Sequence, residues 1–424
     1  MTFASLHLSE PLLRAVADHA YDAPTPIQAA AIPAILSGRD VWASAQTGSG
    51  KTAAFVLPIL ELLGSGDLRS VRRPTAGARR PLRVLILVPT RELAAQIGEA
   101  IESYGRHLPD GPKTCVVVGG VSINPQMMAL RGGADIVVAT PGRLLDLVEQ
   151  NALRLSNVEV LVLDEADRLL SLGFADELAR ILALLDRRQN LLFSATFPPA
   201  VRALAEELLD EPLRIDVDAG TTLGDAEALI VQRAIEVDAP KRTMLLRHLL
   251  ETHAWSHALV FVASRYTAEH VAGKLQRAKI SAAPLHGELS QGARTQALAD
   301  FKAKRVQVLV ATDVAARGLD ITALPAVLNY DLPRSAVDYL HRIGRTGRAG
   351  EAGMAISFIS ADTDAHFRLI ERRHHLRLDR ERIAGFEPTD LGVPARDPGG
   401  GVKGKRKSKK DKLRELKDAA ARKA

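Results

Sequence analysis

Short runs of aliphatic and β-branched residues recur along the chain, most of them followed by a stretch with helical apolar spacing. In the first half they are Val41–Ala45, Val84–Val88, Thr114–Val118, Ile136–Ala139, Val160–Leu163 and Leu191–Phe193. The pattern resumes at Ala258–Val262, Gln307–Ala311, Ala326–Asn329 and Met354–Phe358. Strands buried on both faces read as continuous apolar runs, whereas half-exposed strands alternate. The pattern therefore predicts an α/β protein with parallel strands and crossover helices, built twice over. No internal sequence repeat accompanies the repeated architecture. The expected boundaries are a first domain over residues 1–216, a linker over 217–229, a second domain over 230–378 and a disordered basic tail over 379–424. Asp216 to Leu229, with its Gly-Thr-Thr and acidic residues, reads as the linker, and Pro394 to Gly401 is rich in breakers.

Length supports two domains, since 424 residues suffice for two cores. The single cysteine, Cys115, excludes an internal disulfide and suits a reducing cytoplasm. The start of the chain lacks the basic-then-apolar pattern of a signal peptide, and no apolar run approaches the length needed to cross a bilayer. No membrane partner is expected. The net charge of +6 is unevenly spread: residues 403–424 hold eleven Lys and Arg against three Asp and Glu. That tail has a balance of +8, so the remaining residues sum to −2. Basic tails attract nucleic acid without reading its sequence, or serve only to keep a protein soluble. A second basic segment, Gly64 to Arg83, carries six arginines and reads as a surface loop.

Three segments carry chemistry of their own. Ala45-Gln46-Thr47-Gly48-Ser49-Gly50-Lys51-Thr52, preceded by Ser44, follows an apolar run and opens a helical stretch. It is a phosphate-binding loop with alanine where the simplest pattern has glycine. Gly48 and Gly50 let backbone N–H groups face phosphates, Lys51 reaches the β- and γ-phosphates, and Thr52 suits Mg²⁺. Asp164-Glu165-Ala166-Asp167 leaves the run Val160–Leu163. Asp164 is placed to meet the metal and Glu165 to orient the attacking water. An acidic first helical turn, favoured by the macrodipole, is the ordinary alternative. In His341-Arg342-Ile343-Gly344-Arg345-Thr346-Gly347-Arg348, the arginines Arg345 and Arg348 lie three apart and share one face of a helical turn.

Asp-Glu-Ala-Asp is the signature of the DEAD-box helicases, and the chain resembles that family at its other motifs, in order, across about residues 3–348. The resemblance implies two tandem RecA-like domains. It implies that Tyr21, Thr25 and Gln28, in Tyr21-Asp22-Ala23-Pro24-Thr25-Pro26-Ile27-Gln28, bind the nucleotide, with Gln28 reading the adenine edge and Phe3 stacking on the ring. Here the chain has Ala20 where the family usually has glycine. By the same resemblance Pro89, Thr90, Arg91, Gly120, Thr140, Pro141 and Arg143 contact the RNA backbone from the first domain. Ser264, Arg265, Gly287, Gln291, Arg294, Thr312 and Asp313 do so from the second. Ser194 and Thr196, with Asp167, couple hydrolysis to strand separation; Gly318 and Asp320 face the nucleotide; Arg345 and Arg348 reach the γ-phosphate from the opposite domain. The cofactors implied are ATP and Mg²⁺. The function implied is an RNA-dependent ATPase that locally unwinds short duplexes or remodels RNA–protein complexes, in the cytoplasm. The short basic tail resembles the bacterial RhlE-type branch, which points to ribosome assembly or RNA turnover. A DNA helicase on the same core, or an ATP-gated RNA clamp or annealing chaperone, remains open from sequence.

Overall fold

The computed structural model describes residues 2–45, 49–66, 79–217, 230–316, 321, 324–347 and 352–389. The first lobe holds seven parallel strands: β1 (Val41–Ser44), β2 (Val84–Leu87), β3 (Thr114–Val117), β4 (Ile136–Ala139), β5 (Val160–Leu163), β6 (Gln189–Ser194) and β7 (Leu213–Asp216), in the order β3-β4-β2-β5-β6-β1-β7. The second lobe holds β8 (Ile230–Glu236), β9 (Ala258–Val262), β10 (Ala282–Leu285), β11 (Val308–Thr312), β12 (Ala326–Asn329), β13 (Gly353–Ile359) and β14 (Arg380–Glu381), in the order β10-β11-β9-β12-β13-β8-β14. Renumbered from its own first strand, the second sheet repeats the order of the first. The repeated architecture expected from the apolar pattern is thus a repeat of topology.

Both faces of each sheet are covered, which is why the central strands are apolar throughout. Val84, Ile86, Val160 and Val162 enter one core, while Leu85, Leu87, Leu161 and Leu163 of the same strands enter the other. Successive side chains of a strand point to opposite faces, so each four-residue run feeds two cores.

In a parallel sheet every strand ends on the same edge, where an open α/β sheet binds its ligands. All the first-lobe motifs lie on that edge, and the strand order sorts them. Loops after β3, β4 and β2 carry Gly120, Thr140 and Thr90; loops after β5, β6 and β1 carry Asp164, Thr196 and the phosphate loop. One half of the edge therefore holds the candidate RNA motifs and the other half the nucleotide motifs. The second lobe repeats the division, with Ser264, Gly287 and Asp313 following β9, β10 and β11.

The ordered second lobe runs past residue 378, where the sequence reading started the tail. Arg380 and Glu381 form β14 beside β8. Ion pairs hold this strand: Arg380 to Glu371 at 2.7 Å and Glu381 to Arg233 at 3.0 Å. Thr389 then donates to Asp238 at 2.8 Å. Apolar periodicity does fade at this point, but charge pairing continues the sheet without it. The lysine-rich stretch 403–424, the linker beyond Val217 and the arginines Arg69, Arg72 and Arg73 lie outside the described residues.

Ala20 completes a helix stop. The Ala20 N–H donates to the Ala17 carbonyl at 2.9 Å and the Tyr21 N–H to the Val16 carbonyl at 3.3 Å. This pair of bonds places Ala20 at the position where glycine is usual. Its φ is +53° and its side chain is exposed. Alanine in the left-handed region is strained, and an exposed methyl gives nothing back. Ala20→Gly is therefore expected to stabilise the first lobe by about 0.5–1 kcal/mol. A lower or unchanged midpoint in urea unfolding would refute the strain.

Candidate active site

The phosphate loop is described at both ends. Ala45 is fully buried and its N–H donates to the Ser194 carbonyl at 3.1 Å, tying the loop start to β6. A larger side chain at this enclosed position would have to displace its neighbours. Ser49 and Gly50 precede the helix Lys51–Ser65, with Gly50 at φ +92°. A Cβ on Gly50 would lie 2.4 Å from the Gln28 amide nitrogen, so glycine is required there for space as well as conformation. Lys51 is buried, and its Nζ donates to the Ala45 carbonyl at 2.8 Å across the loop. Thr52 sits one residue further along the same first turn, with its side chain half-buried. Gln46, Thr47 and Gly48 lie outside the described residues.

Gln28 joins this loop to the segment before it. The helix Pro26–Leu36 starts at Thr25, whose N–H donates to Gln28 Oε1 at 2.9 Å; Gln28 Nε2 donates to the Gly50 carbonyl at 3.2 Å. The amide is thereby fixed in orientation beside the phosphate loop. Of the two aromatic residues assigned to the nucleotide, Phe3 is 5% exposed and belongs to the core, while Tyr21 is 40% exposed. Their centroids are 6.4 Å apart and nearly parallel. Tyr21 also stacks on His19, with centroids 5.5 Å apart and planes 27° from parallel, and its hydroxyl meets that of Tyr104 at 3.2 Å, so the more exposed ring is held within an aromatic stack. Burial leaves little of the Phe3 ring exposed, and its contact with adenine belongs to the proposal below.

After β5, Asp164 is buried, and its Oδ1 accepts the Glu165 N–H at 2.9 Å. Burial pushes its pKa up to about 6, partly countered by the charge of Lys51 and reinforced by Glu165. A carboxylate that burial disfavours is one a dication would stabilise, and one carboxylate with a hydroxyl is a normal protein contribution to a Mg²⁺ site. Asp164 and Thr52 fit that role. Glu165 is in the left-handed region, φ 51° and ψ 52°, as the residue before the helix Ala166–Ser171. Such strain in a non-glycine residue costs about 1–2 kcal/mol and persists only where the surroundings impose it.

Asp167, Ser194 and Thr196 form one hydrogen-bonded unit. The Asp167 N–H donates to Ser194 Oγ at 3.2 Å, Ser194 Oγ donates to the Thr196 carbonyl at 2.8 Å, and Thr196 Oγ1 donates to Asp167 Oδ2 at 2.6 Å. The next residue leaves the lobe: Arg168 donates to Asp338 at 2.8 Å and also contacts His341 Nδ1. Burial first, and then the Arg168 charge, push the His341 pKa down to about 3. The imidazole is therefore neutral, free to accept a hydrogen bond from Arg168. A narrow cavity between the lobes is lined by Glu165, Asp167 and Arg168 from one side and by His341 and Arg345 from the other. Arg345 is 7% exposed. Arg348, Gly318 and Asp320 lie outside the described residues.

Several residues assigned to RNA hold backbone rather than face outward. Thr90 is buried and caps the helix Arg91–Gly105 by accepting the Leu93 N–H at 3.3 Å. Pro89 is buried before it, and Thr140 and the buried Pro141 start the helix Pro141–Glu149, there without a side-chain cap bond. Thr140 Oγ1 also accepts the Gly119 N–H at 3.2 Å, and Arg143 donates to the Val121 carbonyl at 2.8 Å. Gly120, at φ +74°, lies against the Arg91 guanidinium, where a Cβ would be 2.6 Å from Nη1. The three motifs thus form one surface of loops and helix starts. In the second lobe Ser264 caps the helix Arg265–Arg277, Arg265 and Gly287 are exposed, and Gln291 begins the helix Gln291–Lys302.

Two assignments change. Arg294 is 3% exposed and pairs with Glu92 of the first lobe at 2.8 Å, so it belongs to the interface between lobes. Both oxygens of Asp313, beside Thr312, accept from Arg342, at 2.6 and 2.8 Å. A carboxylate repels phosphate, and this one instead fixes a buried arginine that also donates to Asn329 at 2.9 Å. Sequence reasoning gave no role to Glu92, Arg168, Asp338 or His341. Of these only His341 carried a signal, its place beside the arginine cluster.

Residues 25–204 match the DEAD/DEAH box helicase domain and residues 240–350 match the helicase conserved C-terminal domain. The chain belongs to the DEAD-box RNA helicase family. The ATP-dependent RNA helicase DeaD of Mycobacterium tuberculosis is 43% identical over 91% of this chain and 66% of that one. DeaD of Escherichia coli K12 is 40% identical over 91% of this chain and 59% of its own. The DEAD-box chain therefore spans two-thirds or less of these relatives. A DEAD box protein from Methanococcus jannaschii is 36% identical with a TM-score of 0.51, covering 90% of this chain and 99% of that one. A variant of Saccharomyces cerevisiae Dbp5, 30% identical over 90% of this chain, matches with a TM-score of 0.76 when bound to RNA and ADP BeF3, covering 95% of its own chain. The same Dbp5 variant bound to Nup159, a variant of Gle1, IP6 and ADP matches at 0.58 and covers 96% of its own chain.

Proposed function

We propose that this DEAD-box chain is an RNA-stimulated ATPase that separates short RNA duplexes and remodels RNA–protein complexes, by closing two lobes around ATP and one RNA strand. The observation that carries this reading is the shared cavity. Glu165 and Asp167 line it from one lobe, His341 and Arg345 from the other. A water-orienting carboxylate and a phosphate-facing cation meet only when the lobes are together. The better overlay on the relative bound to RNA and ADP BeF3 supports a closed arrangement.

In this reading the stack of Phe3, Tyr21 and His19 borders the adenine ring and Gln28 reads its edge, preferring ATP to GTP. Lys51 and the backbone N–H groups of the loop from Ser44 to Thr52 hold the phosphates, with Gly318 and Asp320 meeting the nucleotide from the second lobe. Asp164 and Thr52 would hold Mg²⁺, which neutralises phosphate charge. Glu165 accepts the proton of the attacking water, while Arg345 and Arg348 offset charge on the transferred phosphoryl group. The RNA backbone lies along the other half of both edges. The first-turn N–H groups after Thr90 and Thr140, with Arg91, Gly120 and Arg143, meet its phosphates from one side. Ser264, Arg265, Gly287, Gln291 and Thr312 meet them from the other. Each ligand favours closure, so each raises affinity for the other by the same factor. Duplex stacking is worth about 1–2 kcal/mol per step, so one closure disrupts only short duplexes.

No described helix is long and apolar enough to cross a membrane. A cytoplasmic setting, the RhlE-type branch and work in ribosome assembly or RNA turnover are part of the proposal, supported by the composition and the basic stretch 403–424. The test is ATPase activity with matched RNA and DNA oligonucleotides. RNA is expected to stimulate turnover and DNA to leave it near its basal rate. Equal stimulation by both would overturn the assignment to RNA.

A further inference from the structure

The helix Arg265–Arg277 carries a surface feature that the clamp does not use. Its inner face buries Ala268, Val271, Ala272 and Leu275. On its outer face Tyr266 is 73% exposed, although a tyrosine ring is mostly apolar. The ring stacks on His270, one turn along, with centroids 5.6 Å apart and planes 14° from parallel. Lys274 and Arg277 continue the same stripe at helical spacing and are exposed. The only carboxylate of this helix, Glu269, is turned toward His286 at 2.8 Å. The stripe is thus two stacked rings followed by two cations, with no acid of this helix along it.

Its place narrows the partner. The helix starts directly after β9, capped by Ser264, on the edge that carries the candidate RNA contacts of the second lobe. Arg265, one residue before Tyr266, pairs with Glu288, which adjoins Gly287. The rings therefore begin where the proposed RNA path through the clamp ends, and the cations lead away from it. Flat rings that accept any base, flanked by cations for the backbone, are how single strands are held without sequence preference.

We propose that the Tyr266–His270 stack is extended by a base of the single strand just outside the clamp, laid on Tyr266, and that Lys274 and Arg277 hold the phosphates beyond it. This rests on the reading of RNA as the clamped ligand, and adds base contact to a site expected to use the backbone alone. The test compares the full chain with Tyr266→Ala and Tyr266→Phe, using single-stranded RNAs of about 8 and about 24 nucleotides, lengths bracketing a typical groove site. Affinity is read by fluorescence anisotropy, and stacking by quenching of 2-aminopurine placed along the longer RNA. Tyr266→Ala is expected to weaken the long RNA roughly tenfold and abolish the quenching at one position. It should leave the short RNA and the ATPase it stimulates unchanged, and Tyr266→Phe should behave as the unaltered chain. Unchanged affinity for the long RNA overturns the proposal and leaves the rings to a protein partner. An equal loss with both RNAs also overturns it, as a structural effect. If the short RNA fails to stimulate the unaltered chain, the clamp reading falls, while the stripe is still judged by the long RNA.

Discussion

Replacing Glu165 by glutamine is expected to stop ATP turnover while leaving both ligands bound. The side chain keeps its size and its place in the inter-lobe cavity, so the left-handed backbone at Glu165 and the neighbouring Asp164 contact have no reason to move. What disappears, on the proposed mechanism, is the base for the attacking water. Loss of a positioned general base lowers rate by about 10²–10⁴. If closure comes from binding and reopening follows hydrolysis, as proposed, the variant should accumulate as a closed complex with RNA and ATP. The check is paired: RNA-stimulated phosphate release should collapse, and RNA affinity in the presence of ATP should hold or rise. Turnover within a few-fold of the unaltered chain would remove Glu165 from the chemistry. Joint loss of turnover and RNA binding would make its role structural.

Strands and site residues are legible in the sequence where their surroundings are uniform and their partners are local. Central strands were legible because they are apolar on both faces: β2, β4, β5, β9 and β12 appear as unbroken runs. The strands that escaped notice are those whose environment is mixed. β10 is an edge strand containing Pro284, which an edge tolerates because its N–H side needs no partner. β8 has Gln232 and Arg233 within it, and their partners, Tyr339 and Glu381, lie more than a hundred residues away in sequence. No local pattern announces such a strand. The same holds at the site. The nucleotide loop and the acidic motif are contiguous segments, so their chemistry is written in adjacent residues. The inter-lobe contacts of Arg168 and Glu92 join residues far apart in the chain, and each looks like an ordinary helix residue until the lobes are placed together.

Arg294 supplies the sharpest test of that interface. Arg294 and Glu92 are 3% and 6% exposed with the lobes in contact, and separating the lobes would return both to water. The pair therefore costs little in the open protein and matters in the closed one. Arg294→Ala should leave Glu92 without its counter-charge on closing, a penalty of about 3–5 kcal/mol for a buried pair broken on one side. Closure is what brings Arg345 to Glu165, so RNA-stimulated ATPase should fall by two orders of magnitude or more, by about the factor that penalty implies. Each lobe should still unfold at its normal temperature, since neither needs the pair to fold. The decisive comparison is the exchange Glu92→Arg with Arg294→Glu. If the pair acts as an interface contact, the exchanged chain should recover much of the activity that either single change removes. If Arg294 instead served RNA phosphate directly, placing a carboxylate there would deepen the loss, and no change at Glu92 would repair it.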